Sequence, residues 1–318
     1  MQGLSPRFSC RLPGRKVGGF VHQGSQGVSP SAGSDRSAEA EEFYRTSGEY
    51  RDRLRLSASR AYAQVARSAL WRHMPPQAGP RVLDFGCGTG EFARLLLGMG
   101  YQVVGSDISH LFLRDALERH GDTPHLAFVQ SDPGPHLPFR DGVFDAVAAV
   151  NVVEHVAAPG PMLHQLARVL RPGGVLVLTF PNLLSPLRPL KRFFSRQRLP
   201  RYGPESGETA GESLALLVRN LHLLLALAVR RKPQFVPRQA DFAHANLYYQ
   251  LGYGADYDAV WLCNPLDIAL ALREAGVRRL ECRPFPVTVE THLGVWGRVR
   301  SRLPAALSSP ILWVGRKE

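Results

Sequence analysis

Cysteine and long apolar runs are both scarce in this chain. Its 318 residues include four cysteines, and none stands in Cys-x-x-Cys spacing or within a histidine cluster. This scarcity excludes a zinc ribbon and a disulfide framework, and scattered cysteines are typical of proteins from a reducing compartment. No run of 18 uncharged apolar residues occurs, so we expect no transmembrane helix. The first 34 residues lack the apolar stretch of a secretory signal, so no such signal is predicted.

Acidic residues are absent from one segment and scarce in another, and these two segments explain the net charge of +12. Residues 1–34 carry four basic side chains and no acid, and residues 183–240 carry eleven basic side chains against three acids. The remaining residues are neutral overall. A nucleic-acid-binding domain would carry its positive charge on the folded core, so this distribution disfavours nucleic acid as a partner. The apolar content of 44% excludes disorder over the full length.

Strands alternate with helices from Arg81 to Pro181, and this alternation predicts a parallel sheet covered on both faces. The predicted strands are 81–85, 101–106, 126–130, 143–150, 174–180, 278–282 and 311–314. The predicted helices are 42–71, interrupted at Gly48, then 91–97, 111–119, 162–170 and 266–275. We divide the chain into a disordered basic tail (1–40), an N-terminal helix and core (41–182), an inserted, mostly helical cap (183–259) and the C-terminal part of the sheet (260–318).

The first strand contains Asp84 and leads, after Phe85, into a glycine-rich turn, Gly86-Cys-Gly88-Thr-Gly90. Glycines allow a sharp backbone turn and let a ligand lie against the main chain. The second strand ends in Asp107, and an acid at that place can accept both hydroxyls of a ribose. The ligand is therefore predicted to be a nucleoside derivative. A dinucleotide fingerprint is the alternative, but its third glycine would come one residue later.

Further motifs follow the next strands in a fixed order. Asp132 follows the third strand, residues 138–145 lead into the fourth, the segment Asn151–His155 follows it, and Arg171-Pro-Gly-Gly precedes the fifth. Together with the glycine turn, these motifs resemble those of the class I S-adenosylmethionine-dependent methyltransferases over about residues 81–182, with weaker similarity at 262–284 and 309–317. Glu154-His155-Val156 and Thr179-Phe-Pro-Asn182 are most similar to ubiquinone-biosynthesis-type small-molecule O-methyltransferases.

The resemblance implies a fold, a cofactor and a set of binding residues. The fold would be a seven-stranded Rossmann-like α/β sheet in the order 3-2-1-4-5-7-6, with the last strand antiparallel. The cofactor would be S-adenosylmethionine. Its methionine part would contact Asp84, Gly86 and Gly88, and Asn151 would lie near the methionine part and the transfer site. Gly90 completes the turn. Asp107 would bind the ribose, Ile108 would pack on the adenine, and Asp132 would reach the adenine amino group. Asp132 precedes a proline, so a turn residue is its alternative interpretation.

His155 is the candidate general base, because imidazole titrates near neutrality and follows the end of a strand. A structural role beside Glu154 is the equal alternative. Some ubiquinone-biosynthesis-type O-methyltransferases carry an acid three residues before the Glu-His pair, and that acid is associated with a divalent metal. This chain has Asn151 there, so no metal is predicted.

The cap contains a very apolar segment, Ser213–Val229, with basic flanks. Such a helix can lie in a membrane interface, so residues 188–232 are a candidate peripheral membrane contact; a cap helix packed on the sheet is the favoured alternative. The aromatic cluster of the cap either walls the acceptor site or packs the cap onto the core; it comprises Phe242, His244, Tyr248, Tyr249, Tyr253 and Tyr257. Tyr44 and Tyr50, on the N-terminal helix, are predicted to close over the cofactor.

These observations predict an enzyme that methylates a small-molecule or lipid-like acceptor at oxygen. Two alternatives remain: a nucleic-acid methyltransferase, and a cofactor-binding fold that acts as a structural partner without methyl transfer. The predicted location is the cytoplasm, with possible attachment to a membrane surface.

Overall fold

A computed structural model describes residues 39, 42–56, 60–76, 79–132, 134, 136–189, 209–238, 240, 242, 258–285 and 304–318. The predicted tail up to residue 38 lies outside these ranges. So do all aromatic residues of the predicted cap cluster except Phe242.

Seven strands form one sheet in the order β3-β2-β1-β4-β5-β7-β6, which confirms the predicted topology. The strands are β1 (Arg81–Phe85), β2 (Gln102–Asp107), β3 (Leu126–Gln130), β4 (Phe144–Val150), β5 (Leu170–Phe180), β6 (Val277–Pro284) and β7 (Ile311–Lys317). The pairs from β3 through β5 are parallel, whereas β7 runs antiparallel to both of its neighbours. Buried apolar residues dominate β4 and β5, as expected for strands covered on both faces.

Helices cover both faces of this sheet. They are α1 (Gly48–Leu56), α2 (Arg60–His73), α3 (Glu91–Leu97), α4 (His110–His120), α5 (Pro159–Val169), α6 (Ala210–Arg230) and α7 (Pro265–Glu274), with a 3-10 turn at Ala305–Leu307. Helices α5 and α7 pack in one apolar cluster with β4 and β5, and α2 and α3 pack in a second cluster on the opposite face. The glycine turn between β1 and α3 therefore lies at the carboxyl edge of a rigid, two-sided core.

Several element boundaries differ from the sequence-based prediction. The predicted N-terminal helix corresponds to a short helical segment at 42–46 followed by α1 and α2, with Ser47 outside the helices. Strand β5 begins at Leu170 rather than at residue 174, because Leu170 pairs with Phe144 ahead of a register shift. Asn264 caps α7 by accepting the backbone N–H groups of Leu266 and Asp267, as expected for an Asn-Pro helix start.

Candidate functional site

The glycine turn is held tightly against the ends of β2 and β4. The backbone N–H groups of Gly86 and Cys87 both donate to the carbonyl of Ser106, at 2.7 and 3.1 Å. Gly86 has φ +70°, and a Cβ there would come within 2.5 Å of Val152. Gly90 has φ +82°, and its Cβ would lie 2.9 Å from Phe128. Both positions thus require glycine for conformation and for space.

Asp107 closes the glycine turn from the end of β2. Its carboxylate accepts the backbone N–H of Gly88 and that of Ser109, each at 2.9 Å, through different oxygens. The side chain is 9% exposed, and burial raises the pKa of its carboxyl, although the amides of Ser109 and Gly88 partly offset that increase. Each carboxylate oxygen has a second lone pair. Asp107 can therefore bind a pair of ligand hydroxyls while it holds the turn.

Asp84 is buried next to Asp107. Burial, and then the negative charge of Asp107, raise the pKa of the Asp84 carboxyl from 3.8 to about 7, although the backbone N–H of Ala93 lowers it. Its Oδ2 atom is buried and has no hydrogen-bond partner among the described residues. Two buried acids beside each other, one of them with an unsatisfied oxygen, fit a ligand that carries a positive charge.

An apolar and aromatic cluster adjoins this acidic pair. Ile108 packs in it with Tyr44, Phe112 and Val260. Tyr50 stacks on Phe112 with ring centroids 6.0 Å apart, and Phe43 and Phe242 join the same cluster. The N-terminal segment thus packs against Ile108 and the start of α4 through Tyr44 and Tyr50. That these tyrosines close over a cofactor stays a prediction.

The remaining predicted contacts occupy different environments. Asn151 ends β4 with φ +54°, a left-handed conformation that asparagine tolerates, and its N–H donates to the Thr179 carbonyl at 2.9 Å. Its Oδ1 atom is buried without a partner among the described residues, as is Oγ1 of Thr179. Asn151 and Thr179 therefore offer two unsatisfied polar atoms where β4 and β5 end. Asp132 is exposed just beyond β3.

His155 belongs to a buried network that joins three distant parts of the chain. The Tyr44 hydroxyl donates to Oδ2 of Asp258 at 2.7 Å and lies 2.9 Å from Nδ1 of His155. The hydroxyl has a single proton and gives it to Asp258, so the contact at Nδ1 requires the proton to be on His155. The Asp258 carbonyl, 3.3 Å from Nδ1, accepts that same proton. The neutral ring then carries its lone pair on Nε2.

Two carboxylates surround the His155 ring. Oδ2 of Asp258 lies 3.7 Å from Nδ1, and Oε1 of Glu154 lies 3.7 Å from Nε2. Both acids are fully buried, and the His155 side chain is 12% exposed. The imidazole ring therefore lies between two buried acidic side chains.

Sequence reasoning missed Asp258 and the Tyr44 contact with His155. Asp258 is 103 residues from His155, at the end of the cap, and no local spacing connects them. In the alternative interpretation, His155 has a structural role beside Glu154; Nε2 of His155 lies 3.7 Å from Oε1 of Glu154, beyond hydrogen-bond distance. Within the described ranges, no group of three or more histidine, cysteine or acidic side chains is placed to hold a metal ion.

Comparisons with known proteins identify a family. A family model described as a methyltransferase domain matches residues 83–178. The demethylmenaquinone methyltransferase of Clavibacter sepedonicus is 36% identical over 127 residues, which cover 40% of this chain and 51% of that protein. The ubiquinone/menaquinone biosynthesis C-methyltransferase UbiE of Haemophilus ducreyi is 36% identical over 188 residues, 55% of this chain and 69% of that protein.

A third relative carries a different chemistry in its name. The ubiquinone biosynthesis O-methyltransferase of Albidiferax ferrireducens is 35% identical over 106 residues, 32% of this chain and 41% of that protein. Of these three curated relatives, the chain thus spans about half the length of the first, two thirds of the second and two fifths of the third.

Solved structures show the same fold. The 1,6-didemethyltoxoflavin-N1-methyltransferase of Burkholderia thailandensis, solved with S-adenosylhomocysteine, has a TM-score of 0.52 and 15% identity, over 92% of this chain and 93% of that one. At that identity the similarity concerns the fold alone.

Proposed function

The chain belongs to the class I S-adenosylmethionine-dependent methyltransferases, and on that premise we propose that it methylates a hydroxyl oxygen of a small, lipid-like acceptor. The family and its cofactor follow from the matched domain and relatives. The acceptor, the methylated atom and the role of each residue are proposals.

The observation that carries the proposal is the buried pair of Asp84 and Asp107 at the glycine turn. S-adenosylmethionine combines a cationic ammonium and sulfonium with a ribose diol. The unsatisfied Oδ2 of Asp84 would accept the ammonium, and the remaining lone pairs of Asp107 would accept the ribose hydroxyls. Gly86 and Gly88 would let the methionine part lie against the main chain, because no Cβ stands in the way. A dinucleotide such as NAD has no ammonium group to donate hydrogen bonds to Asp84.

Ile108, Asp132 and Asn151 complete the proposed cofactor site. Ile108 would pack on the adenine, supported by its place in the aromatic cluster. The exposed Asp132 would reach the adenine amino group. The unsatisfied Oδ1 of Asn151 would contact the methionine part near the transferred methyl.

When bound, S-adenosylmethionine supplies a methyl group on a good leaving group, so the protein has mainly to align the acceptor and remove its proton. His155 is the proposed base: Nε2 would take the proton of the acceptor hydroxyl as the oxygen bonds to the methyl carbon and the carbon–sulfur bond breaks, with S-adenosylhomocysteine as the leaving group. Asp258, through Tyr44, keeps the proton on Nδ1 and orients the ring. Asp258 and Glu154 then stabilise the protonated imidazole.

Transfer to oxygen is the part of the proposal that the relatives leave open, since their names include a C-methyltransferase and an O-methyltransferase. A base next to the site favours oxygen, because a hydroxyl must lose its proton to become a strong nucleophile. A lipid-like acceptor is supported by the apolar surroundings of His155, where Tyr44 packs against the ring and Val260 pairs with the neighbouring Glu154 backbone.

The test is a product analysis with the full chain. The protein is incubated with methyl-labelled S-adenosylmethionine and with hydroquinones that carry or lack an isoprenoid chain, and the products are identified by mass spectrometry and NMR. We expect a methyl ether, one equivalent of S-adenosylhomocysteine, and faster turnover of the prenylated acceptor. A methyl group on ring carbon would refute the oxygen assignment. Cofactor binding without any product would support the structural-partner alternative.

His155→Ala supplies the matched variant for the base. We expect its turnover to fall by about 10²- to 10⁴-fold. Calorimetry should show unchanged cofactor affinity, because His155 does not contact Asp84 or Asp107. Full activity in this variant would rule His155 out as the base.

A further inference from the structure

Helix α6 exposes a continuous apolar stripe on its outer face. The stripe residues and their exposed fractions are Leu214 (58%), Val218 (56%), Leu221 (40%), Leu225 (65%) and Val229 (82%). They recur at intervals of three and four residues, so at about 100° per residue they occupy an arc of about 80° along the whole helix. Isolated exposed apolar residues are ordinary, whereas a contiguous patch marks a contact surface.

The opposite face of α6 is fixed to the body of the protein. Leu224 and Leu227 are buried against Leu183, Ala259 and Leu262. The Asn220 side chain donates to the Ser185 carbonyl at 3.3 Å within this contact. The sequence-based alternative of a packed cap helix therefore accounts for the inner face, and the outer stripe needs a different explanation.

The ends of α6 are also fixed. A reciprocal capping box of Thr209 and Glu212 starts the helix, and Arg231 ends it in a left-handed conformation. The helix has the length and hydropathy of a membrane span, with a mean hydropathy of 1.6 over its best window. Spanning a membrane would require breaking the inner contacts, so the geometry favours a helix that lies on a surface.

Positive charge accompanies the stripe. Arg219 is an exposed basic residue midway along α6, and three more lie at its carboxyl end: Arg230, Arg231 and Lys232. Against these four, Glu212 is the one acidic residue between 209 and 238. A soluble apolar partner would not require this excess, whereas negatively charged lipid headgroups attract it, and an apolar stripe next to basic residues matches a helix in a bilayer interface.

We propose that the outer face of α6 docks the protein on an anionic lipid membrane, with the stripe among the acyl chains and the basic residues at the headgroups. The docking surface is independent of methyl transfer. It would, however, bring the proposed site to the phase where a lipid-like acceptor resides.

The test is co-sedimentation of the full chain with vesicles. One set is phosphatidylcholine alone, and the other is equal parts phosphatidylcholine and phosphatidylglycerol. We expect strong sedimentation with the anionic vesicles, weaker sedimentation in high salt, and little with phosphatidylcholine. Equal binding to both sets would contradict the charge argument, and no binding to either would overturn the proposal.

Two variants separate the stripe from general hydrophobicity. Leu221→Asp combined with Leu225→Asp should weaken anionic-vesicle binding by more than about tenfold, since both side chains would leave the apolar phase. The matched control is Leu117→Asp on α4, which is 51% exposed and lies outside the stripe. Unchanged cofactor affinity by calorimetry shows that the variants are folded.

The remaining outcomes also decide the matter. Unchanged vesicle binding in the double variant would overturn the proposal. A dimer that the double variant converts to a monomer, without vesicle binding by the original chain, would identify a second copy as the occupant. Loss of vesicle binding with methyl transfer retained on a soluble acceptor would support docking independently of the proposed function.

Discussion

Replacing Asp84 by asparagine should stabilise the cofactor-free protein and at the same time destroy cofactor binding. The Asp84 carboxyl is buried beside Asp107, and its pKa is about 7 in the folded protein against an ordinary value of 3.8. Folding therefore opposes its ionisation. Asparagine has nearly the same shape and carries no charge at any pH.

The size of the effect follows from that pKa difference. An acid whose pKa is raised by folding does not reduce the free energy of unfolding below its unfolded pKa, because it is protonated in both states. The free energy of unfolding then decreases as the pH rises from the unfolded pKa through the folded pKa. About three pKa units, at 1.36 kcal/mol each, correspond to about 4 kcal/mol. Asp84→Asn should thus have little effect on the free energy of unfolding near pH 4 and should raise it by about 4 kcal/mol at pH 8.

The assay is thermal and denaturant unfolding of both proteins without cofactor at pH 4 and pH 8. At pH 8 we expect the melting temperature of Asp84→Asn to exceed that of the original chain by about 8 °C. The control is Asp122→Asn at an exposed position, which should change stability by less than about 0.5 kcal/mol. Equal effects of Asp84→Asn at the two pH values would refute the reasoning, because they would mean that the ionised carboxylate is already compensated.

Three further outcomes follow from the site. S-adenosylmethionine affinity should fall about tenfold per pH unit below pH 7, where Asp84 becomes protonated, and should level off above pH 7 until the ligand's own ammonium loses its proton. A flat profile below pH 7 by calorimetry would contradict this assignment. Gly86→Ala should lower the free energy of unfolding by about 2 kcal/mol and abolish cofactor binding, because the alanine Cβ would lie 2.5 Å from a valine side chain. The control Gly48→Ala should be tolerated, since no atom lies within 4 Å of the position of its Cβ. Tyr44→Phe and Asp258→Asn should each lower kcat with little change in KM. The kcat of the double variant should be no lower than that of the slower single variant. Additive losses in kcat would argue against a shared network.

Local sequence signals were sufficient for the nucleotide-binding half of the fold. Strands β1 and β3 and helix α3 have the predicted bounds, because glycines, prolines and charged residues interrupt the apolar runs at their ends. The positive φ angles of Gly86 and Gly90 follow from the same turn chemistry. The strand order came from the family resemblance, since periodicity alone does not say which strands are neighbours.

What the sequence could not predict depends on contacts between distant residues. The early start of β5 at Leu170 results from pairing with Phe144, which no local pattern records. Asp258 meets Tyr44 across 214 residues, and only the folded chain brings them together. The apolar pattern of α6 was clear in the sequence, but which of its leucines face solvent depends on where the helix packs.

The central claim is that the glycine turn, Asp84 and Asp107 hold S-adenosylmethionine. Calorimetric titration of the full chain at pH 8 tests it directly, with NAD as the competing nucleotide and Asp84→Asn as the matched variant. The account predicts one-to-one binding of S-adenosylmethionine, no binding of NAD, and loss of cofactor binding in the variant even though the variant is the more stable protein. Equal S-adenosylmethionine affinity in both proteins, or preference for NAD, would contradict it.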